Sequence, residues 1–116
     1  MKIGTCVRGE EILPMLPDII LHGFETVEIY FDNGLKNVEL VSLAERVKQI
    51  AEDIISFSSI GIYVNPLQYE GQRQAVEKCI DSARFFGANI VSTFAGAIEG
   101  ASVPETMGHL RKYLVN

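Results

Sequence analysis

Apolar and polar residues alternate without a break from Thr26 to Phe31. Val27, Ile29 and Phe31 fall on one face; Thr26, Glu28 and Tyr30 fall on the other. A period of two predicts a strand within residues 23–32, with one apolar face and one carrying a carboxylate and a phenol. Shorter runs predict three more strands, at Lys2–Val7, within Ile55–Ile62 and at Asn89–Phe94. Between them the apolar period lengthens to three and four residues, the spacing of a helix face. Leu16, Ile19 and Ile20 predict a helix entered at Pro14 and Pro17 and closed by His22 and Gly23. Leu40, Leu43, Ala44, Val47, Ile50, Ala51 and Ile54 predict a second. Its end is blurred, because no glycine stands between Asp53 and Ile55. Ala75, Val76, Cys79, Ile80 and Ala83 predict a third over residues 72–86, stopped by Gly87. Ser102 and Glu105 have the spacing of a capping box, and Met107, Leu110 and Leu114 continue it as a fourth stripe.

The order is βαβαβαβα, which predicts an α/β fold with a parallel sheet in a single domain over residues 1–116. Four βα units suit either an open sheet with helices on both faces or one half of a closed eight-stranded barrel. An open sheet needs central strands that are apolar on both faces. Gly4 and Cys6, Glu28 and Tyr30, and Ser92 break that rule on one face. The mixture favours a barrel interior.

Composition narrows the classes of function. Apolar residues make up 47% and charged residues 22% of the chain, as in globular domains. The net charge of -5, without a basic cluster, argues against nucleic acid and anionic membranes as partners. No apolar run is long enough to cross a bilayer, and the start lacks the core of a signal peptide. Cys6 and Cys79 make no metal motif, so two reduced thiols in a cytoplasmic protein are expected.

Three stretches carry a resemblance. Gly23-Phe24-Glu25-Thr26-Val27-Glu28-Ile29 resembles the second strand of the sugar phosphate isomerase/epimerase family, the xylose-isomerase-like TIM barrels. Ile60-Gly61-Ile62-Tyr63-Val64-Asn65-Pro66-Leu67 is similar to that family's third-strand exit, and residues 93–103 to its fourth-strand loop. In order and spacing they match the first half of the family's barrel. The resemblance implies a parallel (βα)4 half of a xylose-isomerase-like TIM barrel, truncated against a family fold of about 250 residues. It also implies a divalent metal in a full-length relative, where it polarises substrate oxygens while a carboxylate removes a proton beside a carbonyl. The family's metal and proton-transfer residues come from later strands, beyond residue 116, so no catalytic or metal-binding residue is carried over to this chain. Related endonucleases of the same barrel class place histidines where this chain has Tyr63, Asn65, Phe94 and Gly96, which argues against DNA repair.

Seven residues are candidates for binding a small sugar or sugar phosphate: Arg8, Glu28, Tyr30, Asp32, Tyr63, Asn65 and Phe94. Each has a plainer reading. Glu28 lines a pocket or is a structural carboxylate paired to Arg8, Lys2 or a tyrosine. Asp32 takes part in chemistry or opens a turn. Arg8 meets a phosphate or is an ion-pair partner. Asn65 bonds ligand or satisfies the turn before Pro66. Tyr30 lies near the C-terminal end of its strand, where barrels do their chemistry, and Tyr63, Asn65 and Phe94 wall the site, since sugars stack on aromatic rings and bond to amides. His22 and His109 are read as surface or helix-end residues, and Cys6 as an inert core thiol.

Two functions are consistent with these residues. One is the N-terminal half of a metal-dependent sugar or sugar-phosphate isomerase or epimerase, with the catalytic half outside this chain. The other is a non-catalytic half-barrel module that self-associates through exposed strand edges as a homo-oligomer. A phosphoacceptor receiver is disfavoured: it needs acids where the strands end in Cys6-Val7-Arg8 and Tyr63-Val64-Asn65.

Overall fold

The computed structural model describes residues 2–94, Gly100 and residues 102–108. Strands β1 (Gly4–Arg8), β2 (Thr26–Phe31), β3 (Ser56–Ile62) and β4 (Val91–Thr93) alternate with helices α1 (Ile12–Leu21), α2 (Leu40–Ala51) and α3 (Glu70–Ser82). A 3-10 helix (Ala83–Phe86) extends α3 to Gly87, and residues 103–108 are helical. The strands form one sheet in the order β1-β2-β3-β4, and every pairing is parallel.

Sequential strand order decides where the helices lie. Each crossover steps to the next strand in the same direction. Right-handed crossovers therefore leave their helices on one face of the sheet. α1 packs on α2, and α2 packs on α3 and the 3-10 helix. Beneath them Val27, Ile29 and Phe31 of β2 are fully buried, with Ile60 and Ile62 of β3 beside them. Leu16 of α1, Val47 of α2 and Cys79 of α3 close the core from above. On the opposite face, Cys6 and Arg8 are exposed and Thr26, Glu28, Tyr30 and Ser59 are half-buried.

A bulge in β3 sets the phase of this arrangement. Val27 pairs with Phe57 but Glu28 pairs with Ser59, so Ser58 has no register partner on β2, although its Oγ donates to the Val27 carbonyl. The extra residue puts Phe57 and Ile60, three apart in sequence, on the same apolar face. It also brings Ser59 into line with Glu28.

Several local boundaries differ from the sequence expectation. α1 begins at Ile12, so Pro14 sits in its first turn and Pro17 lies inside it. Burial of Ile12, Leu16 and Ile19 outweighs the hydrogen bond that Pro17 cannot donate. Gly23, at φ +83, stops that helix as expected. α2 ends at Ala51, where Glu52 and Asp53 adopt φ of 46 and 64 in the place of a glycine. Ile54 therefore falls beyond the helix, and Ile54, Ile50 and Ile80 are exposed instead of joining the core. β4 is shorter than its apolar run. Half of the capping box is present, with the Glu105 N–H donating to Ser102 Oγ. The expected loop over residues 95–99, and Leu110, Leu114 and His109, lie outside the described residues.

Glu39 caps α2, accepting from the Ser42 N–H at 2.7 Å and the Val41 N–H at 3.3 Å. Bonds from the Ser42 side chain and backbone hold its carboxyl below the usual value of 4.5. A lowered pKa stabilises the fold above the ordinary value, and the contribution is lost as pH falls through the lowered one. Glu39→Gln is therefore expected to reduce stability at neutral pH and to flatten the acid limb below about pH 4.5, read from urea midpoints against pH.

Candidate functional site

All four strands run the same way, so their C-terminal ends meet at one edge of the sheet. On the face opposite α1, α2 and α3 the register aligns Cys6, Glu28 and Ser59 in one row and Arg8, Tyr30, Gly61 and Ser92 in the next. Asp32, Tyr63 and Phe94 lie just past the strand ends.

Glu28 is the centre of the first row. It accepts from Ser59 Oγ at 3.1 Å and from Tyr63 Oη at 3.1 Å. Of the partners weighed from sequence, a tyrosine holds it, and Arg8 is engaged elsewhere. Tyr63 reaches Glu28 by folding back along β3 over Gly61. A Cβ at Gly61 would lie 2.8 Å from Tyr63 Oη and 2.9 Å from ring atom Cε2. Only glycine leaves that notch open. Burial raises the Tyr63 phenol above its usual 10.0, and the Glu28 carboxylate raises it further by hydrogen bond and charge.

Cys6 is exposed on this face, not in the core as expected from sequence. Partial burial of its sulfur, then the hydrogen bond and charge of Glu28, raise its thiol above the usual 9.0. Cys79 is the core thiol, pushed up to about 12 by burial.

Arg8 and Asp32 form an ion pair at 3.0 Å, joining the ends of β1 and β2. The Arg8 guanidinium also lies 5.9 Å from the Tyr30 ring centre. A hydrogen bond with Tyr30 and then the charge of Asp32 raise its pKa. Tyr30 and Tyr63 are 6.3 Å apart, and Tyr63 and Phe94 5.2 Å, both pairs tilted. The rings form a continuous aromatic band across the strand ends. Phe94 is 59% exposed at its far end.

A cleft of about 470 Å³ opens beside this band, lined by Asp32, Asn33, Tyr63, Asn65, Gln72 and Phe94 among others. Asn65 serves the turn: its Oδ1 accepts from the Gln68 N–H at 3.3 Å, and its own N–H donates to Gln72 Oε1. Of the seven candidates, the cleft takes Asp32, Tyr63, Asn65 and Phe94 as lining. Arg8 and Tyr30 border them through contacts with Asp32 and Tyr63, and Glu28 lies beneath Tyr63. Asn33 and Gln72 were missed from sequence. Gln72 lies in α3, and no local pattern signals that its side chain turns back to the β3 exit.

Among the described residues, no group of three His, Cys, Asp or Glu side chains could hold a metal ion. Glu28 is committed to two hydroxyls and Asp32 to Arg8. The described residues do not fit the divalent metal that the resemblance implies, and no chemical step is derived through one. His22 Nδ1 bonds the Asp18 carbonyl at the end of α1.

No helix among the described residues is long and apolar enough to cross a membrane. Comparison with known proteins finds no matching family model, curated protein or solved structure.

Proposed function

We propose that this chain forms one half of a (βα)8 barrel of the sugar isomerase/epimerase type and supplies its substrate-binding wall. One observation carries the reading. The sheet face opposite α1, α2 and α3 is polar, centred on Glu28 and Tyr63, and ends at a cleft with aromatic and amide walls on the C-terminal side of the strands. That is the side on which (βα)8 barrels bind their ligands. The aromatic band offers faces for stacking, and the amides of Asn33, Asn65 and Gln72 match the hydroxyls of a sugar in kind. Metal and proton-transfer groups belong, in this reading, to the strands that complete the barrel. The chain alone binds sugar without converting it.

Titration of the 15N-labelled chain with pentoses and hexoses tests this by NMR. Saturable shifts at the Val64, Asn65 and Gln72 amides are expected, with no isomerised or epimerised product. Sugar conversion by the purified chain overturns the assignment of catalysis to other strands. Unchanged spectra overturn the binding reading.

A second reading rests on the strand order, which leaves β1 and β4 outermost. Unpaired strand edges favour association with another sheet. Here the chain is a homo-oligomeric module whose edges pair between copies. Sedimentation velocity is expected to show a dimer that forms with rising concentration; a monomer throughout contradicts it.

A further inference from the structure

We propose that the cleft at the ends of β2, β3 and β4 accepts a neutral, unphosphorylated sugar, and that Asp32 is the residue that turns away its phosphorylated form. This deepens the sugar-binding reading and rests on it. Among the described residues, the cleft lining contains no Lys, Arg or His. A phosphate group is held most strongly by cations and backbone N–H donors directed at it. Arg8, a cation in contact with the lining, is engaged by Asp32 at 3.0 Å. The Asn65 N–H at the cleft wall is donated to Gln72. Asp32 itself adds a negative charge to the lining. It therefore acts twice, by occupying the guanidinium and by repelling the incoming anion. Specificity of this kind is set by a repulsive group as much as by an attractive one. Hydroxyl groups meet no such penalty, since carboxylate, amide and phenol groups all bond to them.

The test titrates xylose, glucose and fructose, each beside its terminal monophosphate, into 15N-labelled wild type and Asp32→Asn at low ionic strength. In wild type, the free sugars are expected to shift the Val64, Asn65 and Gln72 amides, and each monophosphate to bind more weakly. In Asp32→Asn, monophosphate affinity is expected to rise on the order of tenfold, through the loss of one close like charge and the release of Arg8. The quantity compared is the monophosphate affinity relative to that of the free sugar in the same variant. Adding Arg8→Gln to Asp32→Asn removes the gain, and unaltered shifts in α2 show that the fold persists. A wild type that prefers a monophosphate, or a preference unmoved by Asp32→Asn, overturns the inference while leaving sugar binding intact. No response to any sugar overturns the binding reading and this inference with it.

Discussion

Gly9→Ala is expected to destabilise the chain by about 1–3 kcal/mol, the range for overfilling a packed core. Gly9 is buried, and a Cβ there would fall 2.1 Å from ring atoms Cε1 and Cζ of Phe31. Phe31 is fully buried at the end of β2, so its ring has little room to move. Nor can the backbone retreat freely, because the Gly9 N–H donates to the Tyr30 carbonyl at 2.8 Å. Glycine at this position thus lets the chain leave β1 directly across the largest side chain of the central apolar face. Phe31→Leu shortens that side chain and is expected to restore part of the loss in the double variant, although alone it is destabilising. Urea unfolding of both single variants and the double variant measures the coupling. Strictly additive losses would contradict the packing of Phe31 against Gly9.

Gly61→Ala is expected to act differently, with a small change in stability and a large change at the site. The atoms that a new Cβ would meet belong to the Tyr63 side chain, which can swing outward. Swinging out breaks the 3.1 Å hydrogen bond to Glu28 and moves the ring against Phe94. The Tyr63 phenol, raised by burial and by Glu28, then falls back toward 10.0. Ultraviolet titration of tyrosinate should show the part of the wild-type curve that Tyr63→Phe removes moving to lower pH, and sugar-induced shifts at Asn65 weakening. An unchanged titration curve would mean that Tyr63 does not lie over Gly61. Tyr63→Phe provides the comparison, since it removes the phenol outright and leaves the notch.

These two glycines mark where local pattern stops being informative. Strict alternation in β2 identified Val27, Ile29 and Phe31 as the apolar face, and all three are fully buried. The helix stripes located α1, α2 and α3 because a three-to-four residue period lines up on a helix face and scatters over both faces of a strand. Helix ends were less legible. Pro17 was read as an entry residue although packing carries the helix through it, and Glu39 as a cap has no strong preference behind it. The β3 bulge left a trace in the paired Ser58 and Ser59, which interrupt alternation between Phe57 and Ile60. At the site, the residue types were legible but their partners were not. Arg8 was readable as an ion-pair partner and Asp32 as a strand-end acid, yet they lie 24 positions apart and only the β1–β2 register brings them together. The Glu28–Tyr63 bond likewise needs β3 beside β2 and an empty position at Gly61.

Whether one side of the sheet is truly without helices can be read from its two cysteines. Cys6 lies on the sheet face opposite α1, α2 and α3, and Cys79 on the buried side of α3. Maleimide labelling of the native chain in dilute solution, followed by mass spectrometry, should give a single adduct at Cys6, with Cys79 modified only after unfolding. A native chain that protects both thiols alike until it unfolds would place Cys6 under a second layer and contradict a sheet covered on one side only.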